Sequence, residues 1–412
     1  MSSTISEQPR PLPLPREKKC PFGPAPEVAE IREQGQLVKV TCPTGIDAWL
    51  VTRYADVREV MGDPQRFSNH SGQAGHVLAN MPPDSPVYEG DFFRMDGPDH
   101  IRFRRVFAPA VSTVKRLELF RPMVQRTVDE LLDGLAGVTG PVDLHDKFSK
   151  PLTTAVIAEL LDVPHADRGL FHRVAEALFS GKTDADDLDA ARFPLFEYVQ
   201  DLVVTRRTEP GEDALSVLVT RGQDAETPFS DIELIKMAAG LLVAGYDTTA
   251  SLITYGMLAL LDSPEQFALL RESPATVPSA VEEVVRLLAV GSGLLRVAKV
   301  DIEIGGTPIA AGEYVVVAVQ AANHDPAQFA DPEHLDITRQ HNAHIGFGHG
   351  PHQCVGQQIA RLELSTVLAT LPRRVPSLRL AVPFGDVEFK SDTTVYGPVS
   401  LPVTWDEVLP AS

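Results

Sequence analysis

The sequence predicts a mainly α-helical protein with small β-sheets, an α+β class in which helices dominate. Three observations carry this reading. Apolar residues recur at three-and-four spacing through most of the chain, strand-like stretches are few and short, and no segment repeats at a fixed period, which sets aside solenoids and propellers. Helical spacing covers residues near 26–34, 54–61, 98–110, 117–136, 149–162, 190–207, 230–261, 264–272, 278–289 and 354–371. Strand-like pieces lie near the start ("LVKV" and "AWLVT"), after residue 300 ("DIEIGG" and "YVVVAV") and at the end ("LRLAV", "VEF" and "LPVTW").

Two stretches carry neither pattern. Residues 1–19 are polar and proline-rich, which predicts an extended N-terminal arm and no signal peptide. Residues 67–95 contain "SGQAG", "MPPDSP" and "EGDFF". A loop of that length inside a compact protein is expected to be a lid. The longest helix has a defined start, because Ser230 followed by Glu233 matches a capping box. Its apolar run over 237–261 is long enough to cross a bilayer, but it carries Asp247, at a cost of about 2.5 to 3.5 kcal/mol for insertion. We read it as a buried helix, interrupted at "AGYDTT" by polar residues that need partners.

Composition narrows the function classes. At 412 residues, length alone predicts two or three domains, and 43% hydrophobic residues are enough for a large core. The formal charge of −19 argues against a nucleic-acid-binding or anionic-membrane surface. Cysteines stand only at 20, 42 and 354, too few and scattered for a disulfide scaffold, which fits a reducing cytoplasm.

Four groups of residues are candidates for chemistry. Cys354 follows a glycine-rich loop, "HIGFGHGPHQC", at the start of a helix, where exposed amides and the helix dipole favour a thiolate. It could be inert, a nucleophile paired with His349 or His352, or one of a zinc set with His341, His344, His349 and His352. The irregular spacing favours neither of the last two. Glu283 and Arg286 share a helix face in an apolar setting and want a third partner. Asp247 and Thr248 read either as a satisfied buried pair or as a proton-delivery pair. His100 and Arg104, four apart, can grip an anion.

Together, in this order, these pieces resemble the cytochrome P450 family of haem-thiolate monooxygenases, soluble actinobacterial members in particular. "FGHGPHQCVG" fits the family's cysteine-loop pattern FxxGxHxCxG at Phe347, Gly350, His352, Cys354 and Gly356, "AGYDTT" its central-helix motif, and "EVVR" its ExxR motif. The likeness extends from about residue 20 to Trp405. It implies a single domain over 20–412, with haem b (iron protoporphyrin IX) buried between the central helix and the helix after the cysteine loop. It implies Cys354 as the axial ligand and metal contact, with His100, Arg104, Arg296 and His352 on the propionates. Glu283, Arg286 and Arg339 would form a structural bridge, and Asp247 with Thr248 the acid–alcohol pair that delivers protons, beside Gly245, where the helix is expected to bulge.

The reaction implied is hydroxylation or epoxidation of a bulky apolar small molecule of polyketide, macrolide or terpenoid type. It would use O2 and electrons from a ferredoxin served by an NAD(P)H-dependent ferredoxin reductase, with Arg104 or Arg105 contributing a basic patch. Val243, Ala244 and Leu294 would line the substrate pocket. A monomer is expected, with no nucleic-acid or membrane partner. The alternatives are oxidative coupling or ring closure in natural-product biosynthesis, a non-catalytic haem-thiolate sensor, and, more remotely, a thiol hydrolase. Two departures from the family pattern stand out: Gly97 where relatives often have Pro, and "GSG" at 291–293 after the ExxR helix.

Overall fold

The computed structural model describes residues 9–16, 21–69, 89–164, 167, 169, 174, 185–291, 293–391 and 393–411. Most of the expected lid, Ser292 and Cys20 lie outside the described residues. The helices, in chain order, are α1 (Pro26–Gln34), α2 (Tyr54–Gly62), α3 (Gly97–Val111), α4 (Val114–Leu135), α5 (Lys150–Leu160), α6 (Ala185–Thr208), α7 (Ala214–Gln223), α8 (Asp231–Leu261), α9 (Pro264–Glu272), α10 (Val277–Leu288), α11 (Val319–Asn323) and α12 (Gln357–Arg374). The strands are β1 (Arg10–Pro11), β2 (Val38–Thr41), β3 (Asp47–Val51), β4 (Phe67–Ser68), β5 (Val142–Asp143), β6 (Leu294–Ala298), β7 (Ile302–Ile304), β8 (Thr307–Ile309), β9 (Tyr314–Val317), β10 (Arg379–Leu380) and β11 (Pro402–Thr404). Helices dominate and the sheets are small, as the periodicity predicts.

The largest sheet has the order β1-β2-β3-β9-β6-β4. β3 and β9 pair in parallel, with Ala48 opposite Tyr314 and Val51 opposite Val317. Both faces of this sheet are covered. Val51, Val315 and Val317 join one apolar cluster while Leu50 and Val316 join another. Burial on both faces explains why "YVVVAV" is apolar without alternation. β10-β11-β5 and β7-β8 form separate small sheets.

Several expectations are corrected. Part of the N-terminal arm is docked: β1 runs parallel to β2, and the Leu12 amide donates to Thr41 O at 2.9 Å. An edge strand's free amides and carbonyls offer that template, which a reading of the arm's own residues does not reveal. "VEF" is no strand, since only Phe389 bridges, to Pro398. The sequence reading passes over β6 and α7, although α7 has a recognisable cap in Asp213, whose Oδ1 accepts from the Ser216 amide at 2.8 Å.

The central helix α8 organises the molecule. Its capping box forms as expected: Ser230 Oγ accepts from the Glu233 amide at 3.2 Å and Glu233 Oε2 from the Ser230 amide at 2.8 Å. Nearly every residue from Leu234 to Leu260 is buried, so this run is apolar because protein surrounds it. No helix among the described residues is long and apolar enough to cross a membrane. The expected bulge at Gly245 is absent, because α8 is unbroken α-helix there. The glycine instead allows close packing, since a β-carbon on it would overlap Ile157 of α5.

Candidate functional site

The site forms where the loop before α12 approaches α3. Gly350 has φ +73°, and a β-carbon there would run into the Met61 carbonyl of α2, so the turn admits only glycine. The turn closes when the Cys354 amide donates to Phe347 O at 2.8 Å. The Cys354 sulfur then receives the backbone amides of Gly356, the N-cap of α12, and of Gln357, its first residue. Burial is the largest influence on this thiol and pushes its pKa up, while the Gly356 amide, Arg104, Arg361 and the Gln357 amide oppose it. Cys354 as a residue is nonetheless exposed.

Cation-capable groups gather with Cys354, and Arg104 acts on its thiol directly. His100 and His352 stack with ring centroids 3.9 Å apart. Burial, then His352 and Arg104, pull the His100 pKa down to about 4. His352 Nε2 lies 3.5 Å from Asp96 Oδ1, at ion-pair range but without a hydrogen bond. Arg296, only 4% exposed, donates from Nη1 to Leu295 O at 2.8 Å, and burial pulls its pKa to about 10. Burial also lowers Arg104. Among the described residues, neither arginine has a carboxylate at ion-pair distance. Buried donors left this way call for an anion. An iron porphyrin needs one soft axial ligand and donors for two carboxylates, and this set fits it.

The structure brings the ExxR residues together with the expected third partner. Glu283 and Arg286 are fully buried and joined at 2.8 Å through both carboxylate oxygens. Arg339 Nε adds a 3.0 Å bond to Glu283 Oε2. Arg286 also donates to the carbonyls of Asn323, Pro332 and His334, tying α10 to the segment before the cysteine loop. A buried pair with this many satisfied valences works as a clasp.

Asp247 and Thr248 lie on α8 but each is engaged elsewhere. Lys390 Nζ meets both Asp247 oxygens at 3.1 Å and Ser251 Oγ at 3.0 Å. Thr248 Oγ1 donates back to Ala244 O at 2.7 Å. The sequence reading missed Lys390, and no local pattern marks it, because the pairing exists only after folding. Val243 belongs to the helical core whereas Leu294 packs against a sheet cluster, so the expected pocket residues sit in separate apolar groups, with Ala244 half-buried on α8. Gly97 has φ +58°, a conformation proline cannot adopt, which accounts for its departure from the family pattern.

The family model described as Cytochrome P450 matches residues 157–375. Cytochrome P450-SU2 of Streptomyces griseolus is 40% identical over 396 residues, covering 96% of this chain and 96% of that protein. Mycinamicin IV hydroxylase/epoxidase of Micromonospora griseorubida is 38% identical over 380 residues, covering 91% and 94%. A crystal structure of CYP105P1 in complex with filipin I superposes with a TM-score of 0.88 at 41% identity, covering 97% of this chain and all 100% of that one.

Proposed function

The chain belongs to the cytochrome P450 family and is a haem-dependent oxidoreductase that incorporates oxygen, and from this we propose that Cys354 ligates the haem iron for monooxygenation of a bulky apolar small molecule. One observation carries the assignment: an exposed cysteine whose sulfur is met by the Gly356 and Gln357 amides stands with Arg104, His100, His352 and the buried Arg296, and among the described residues neither arginine has an acid partner at ion-pair distance. His100, Arg104, Arg296 and His352 would hold the propionates. Haem ligated by a thiolate supplies the oxygen chemistry, because thiolate electron density favours O–O cleavage. The chain's own groups do the rest. Gly356 and Gln357 amides orient the sulfur and favour its anionic form against burial, and the Glu283–Arg286–Arg339 clasp fixes the loop that carries it. Asp247 and the adjacent Thr248 hydroxyl would serve as the proton-delivery pair. A sensor has no use for that pair, which favours turnover over mere binding.

The substrate reading rests on what supports it among the relatives, one a hydroxylase/epoxidase named for mycinamicin IV and one crystallised with filipin I. We read the substrate as a natural product of that apolar, bulky kind. Electrons would come from a ferredoxin and its NAD(P)H-dependent reductase, docking where Arg105 is exposed on α3. Residues 20–412 are read as one domain.

The test is the difference spectrum of the reduced protein with carbon monoxide, recorded for the parent and for Cys354→Ser. The parent should give the thiolate-type band and the variant should lose it while retaining fold by circular dichroism. An identical band in both would remove Cys354 as the ligand.

A further inference from the structure

The sequence reading offers His344 only as a member of a zinc set and passes over Glu282 and Arg361. The structure joins all three behind the cysteine loop. Glu282, on α10 beside Glu283, binds Arg361 of α12 at two points, 2.7 Å from Nε to Oε1 and 2.9 Å from Nη2 to Oε2. His344 Nε2 reaches the same Oε2 at 2.9 Å. The Gly346 amide donates to His344 Nδ1 at 3.1 Å, so Nδ1 accepts and Nε2 carries the proton, which makes the ring a neutral support. The backbone is equally close, since a β-carbon on Gly346 would stand 2.5 Å from the Val285 carbonyl of α10.

Arg361 connects this cluster to the sulfur by two routes. Its guanidinium lies 4.5 Å from the Phe347 ring centroid, and Phe347 O is the acceptor of the Cys354 amide. Its Nη1 holds Gln357 Oε1 at 2.8 Å, and the Gln357 amide is one of the two directed at the sulfur.

We propose that the Glu282–Arg361 pair, supported by neutral His344, sets the electrostatic environment of Cys354 and thereby the reduction potential of the haem. This rests on the reading of Cys354 as the iron ligand. A cation behind the ligand favours the reduced, more negative centre, and a carboxylate beside that cation moderates the effect; both side chains are half-buried, so water screens them only in part. The Glu282 carboxyl is consistent with a working ion pair. Burial is its largest single influence and raises it, yet the bonds from His344 and Arg361 bring it down to about 2.

A clasp that only held the loop would fail the same way whichever partner was removed, whereas an electrostatic control gives opposite signs. The experiment is redox titration of the haem-loaded protein in four forms. Glu282→Gln leaves Arg361 unmoderated and should raise the midpoint potential. Arg361→Gln removes the cation and leaves the carboxylate, and should lower it. The double variant is neutral overall and should return toward the parent, with its departure from additivity measuring the pair. His344→Gln should lower the thermal midpoint and leave the potential in place. If Arg361→Gln does not retain haem, Arg361→Lys keeps the charge without the two-point fork and should hold the parent potential with reduced stability. Shifts of the same sign in the Glu282 and Arg361 variants, or none, would overturn the proposal. The Cys354→Ser spectrum separates the two layers, because an unchanged carbon monoxide band there removes the ligand reading itself, whereas a lost band with unsplit potentials removes only this inference.

Discussion

Asp247 and Thr248 were legible because they are adjacent in sequence and out of place in an apolar helix, but the folded state of each was not. Lys390, 143 residues away, holds the carboxylate, and Thr248 satisfies its hydroxyl on its own helix. A threonine bonded to its i−4 carbonyl adds little to helix stability, and alanine is the better helix former. Thr248→Ala should therefore leave unfolding within about 0.5 kcal/mol of the parent. Its effect should appear in the chemistry, as less product per NAD(P)H consumed and more hydrogen peroxide. Unchanged coupling, measured with any substrate the protein turns over, would show that the hydroxyl takes no part in proton delivery. The same logic explains why Cys354 was readable and Glu282 was not. The cysteine stands inside a contiguous pattern of glycines, whereas Glu282 looks like any surface glutamate until Arg361 of α12 and His344 of the loop meet it.

Helices were easier to read than strands, and the reason is physical. An α-helix makes its hydrogen bonds within itself, so α1 and α8 begin and end close to where periodicity and capping place them. A strand's identity depends on a partner elsewhere: β1 exists because β2 offers an edge, and β6 because Leu294 and Val297 find Val317 and Tyr314. The cysteine loop lies between these cases, since glycine marks the turn but only the neighbours say which glycine is indispensable. Gly348 and Gly350 both have positive φ, +79° and +73°. A β-carbon on Gly348 would meet the flexible Met61 Cε at 3.4 Å, whereas one on Gly350 would meet the Met61 backbone. Gly348→Ala should therefore cost only backbone strain, about 1 to 3 kcal/mol, and keep its haem. Gly350→Ala should displace α2 from the loop and lower haem content in the purified protein. Equal haem occupancy in the two variants would mean that the loop yields where the packing says it cannot.

Length suggested several domains, and the balance that holds the whole chain together draws on buried ionisable groups that no local pattern announces. Two of them oppose each other. His145 is 2% exposed, its Nδ1 lies 2.8 Å from Thr254 Oγ1, and burial, then Lys390 and Lys150, pull its pKa from 6.5 to about 4 against Asp247 and Asp143. Unfolding lets it bind a proton below pH 6.5 that the folded state refuses until about 4, so its contribution is full above 6.5 and is lost as pH falls through that window. Glu363, 1% exposed on α12, is pushed from 4.5 up to about 8 by burial. It is folded as the neutral acid, so its contribution is full below 4.5 and is lost as pH rises toward 8. Each amounts to roughly 3 to 5 kcal/mol across its window, and between 4.5 and 6.5 the two slopes have opposite sign and offset each other. Single substitutions should expose what the pair conceals. Relative to the parent, His145→Gln should gain stability as pH falls from 6.5 toward 4, and Glu363→Gln should gain stability as pH rises from 4.5 toward 8. Denaturant unfolding of the three proteins across that range measures both, and parallel pH profiles for parent and variants would show that neither group is held in its neutral form by the fold.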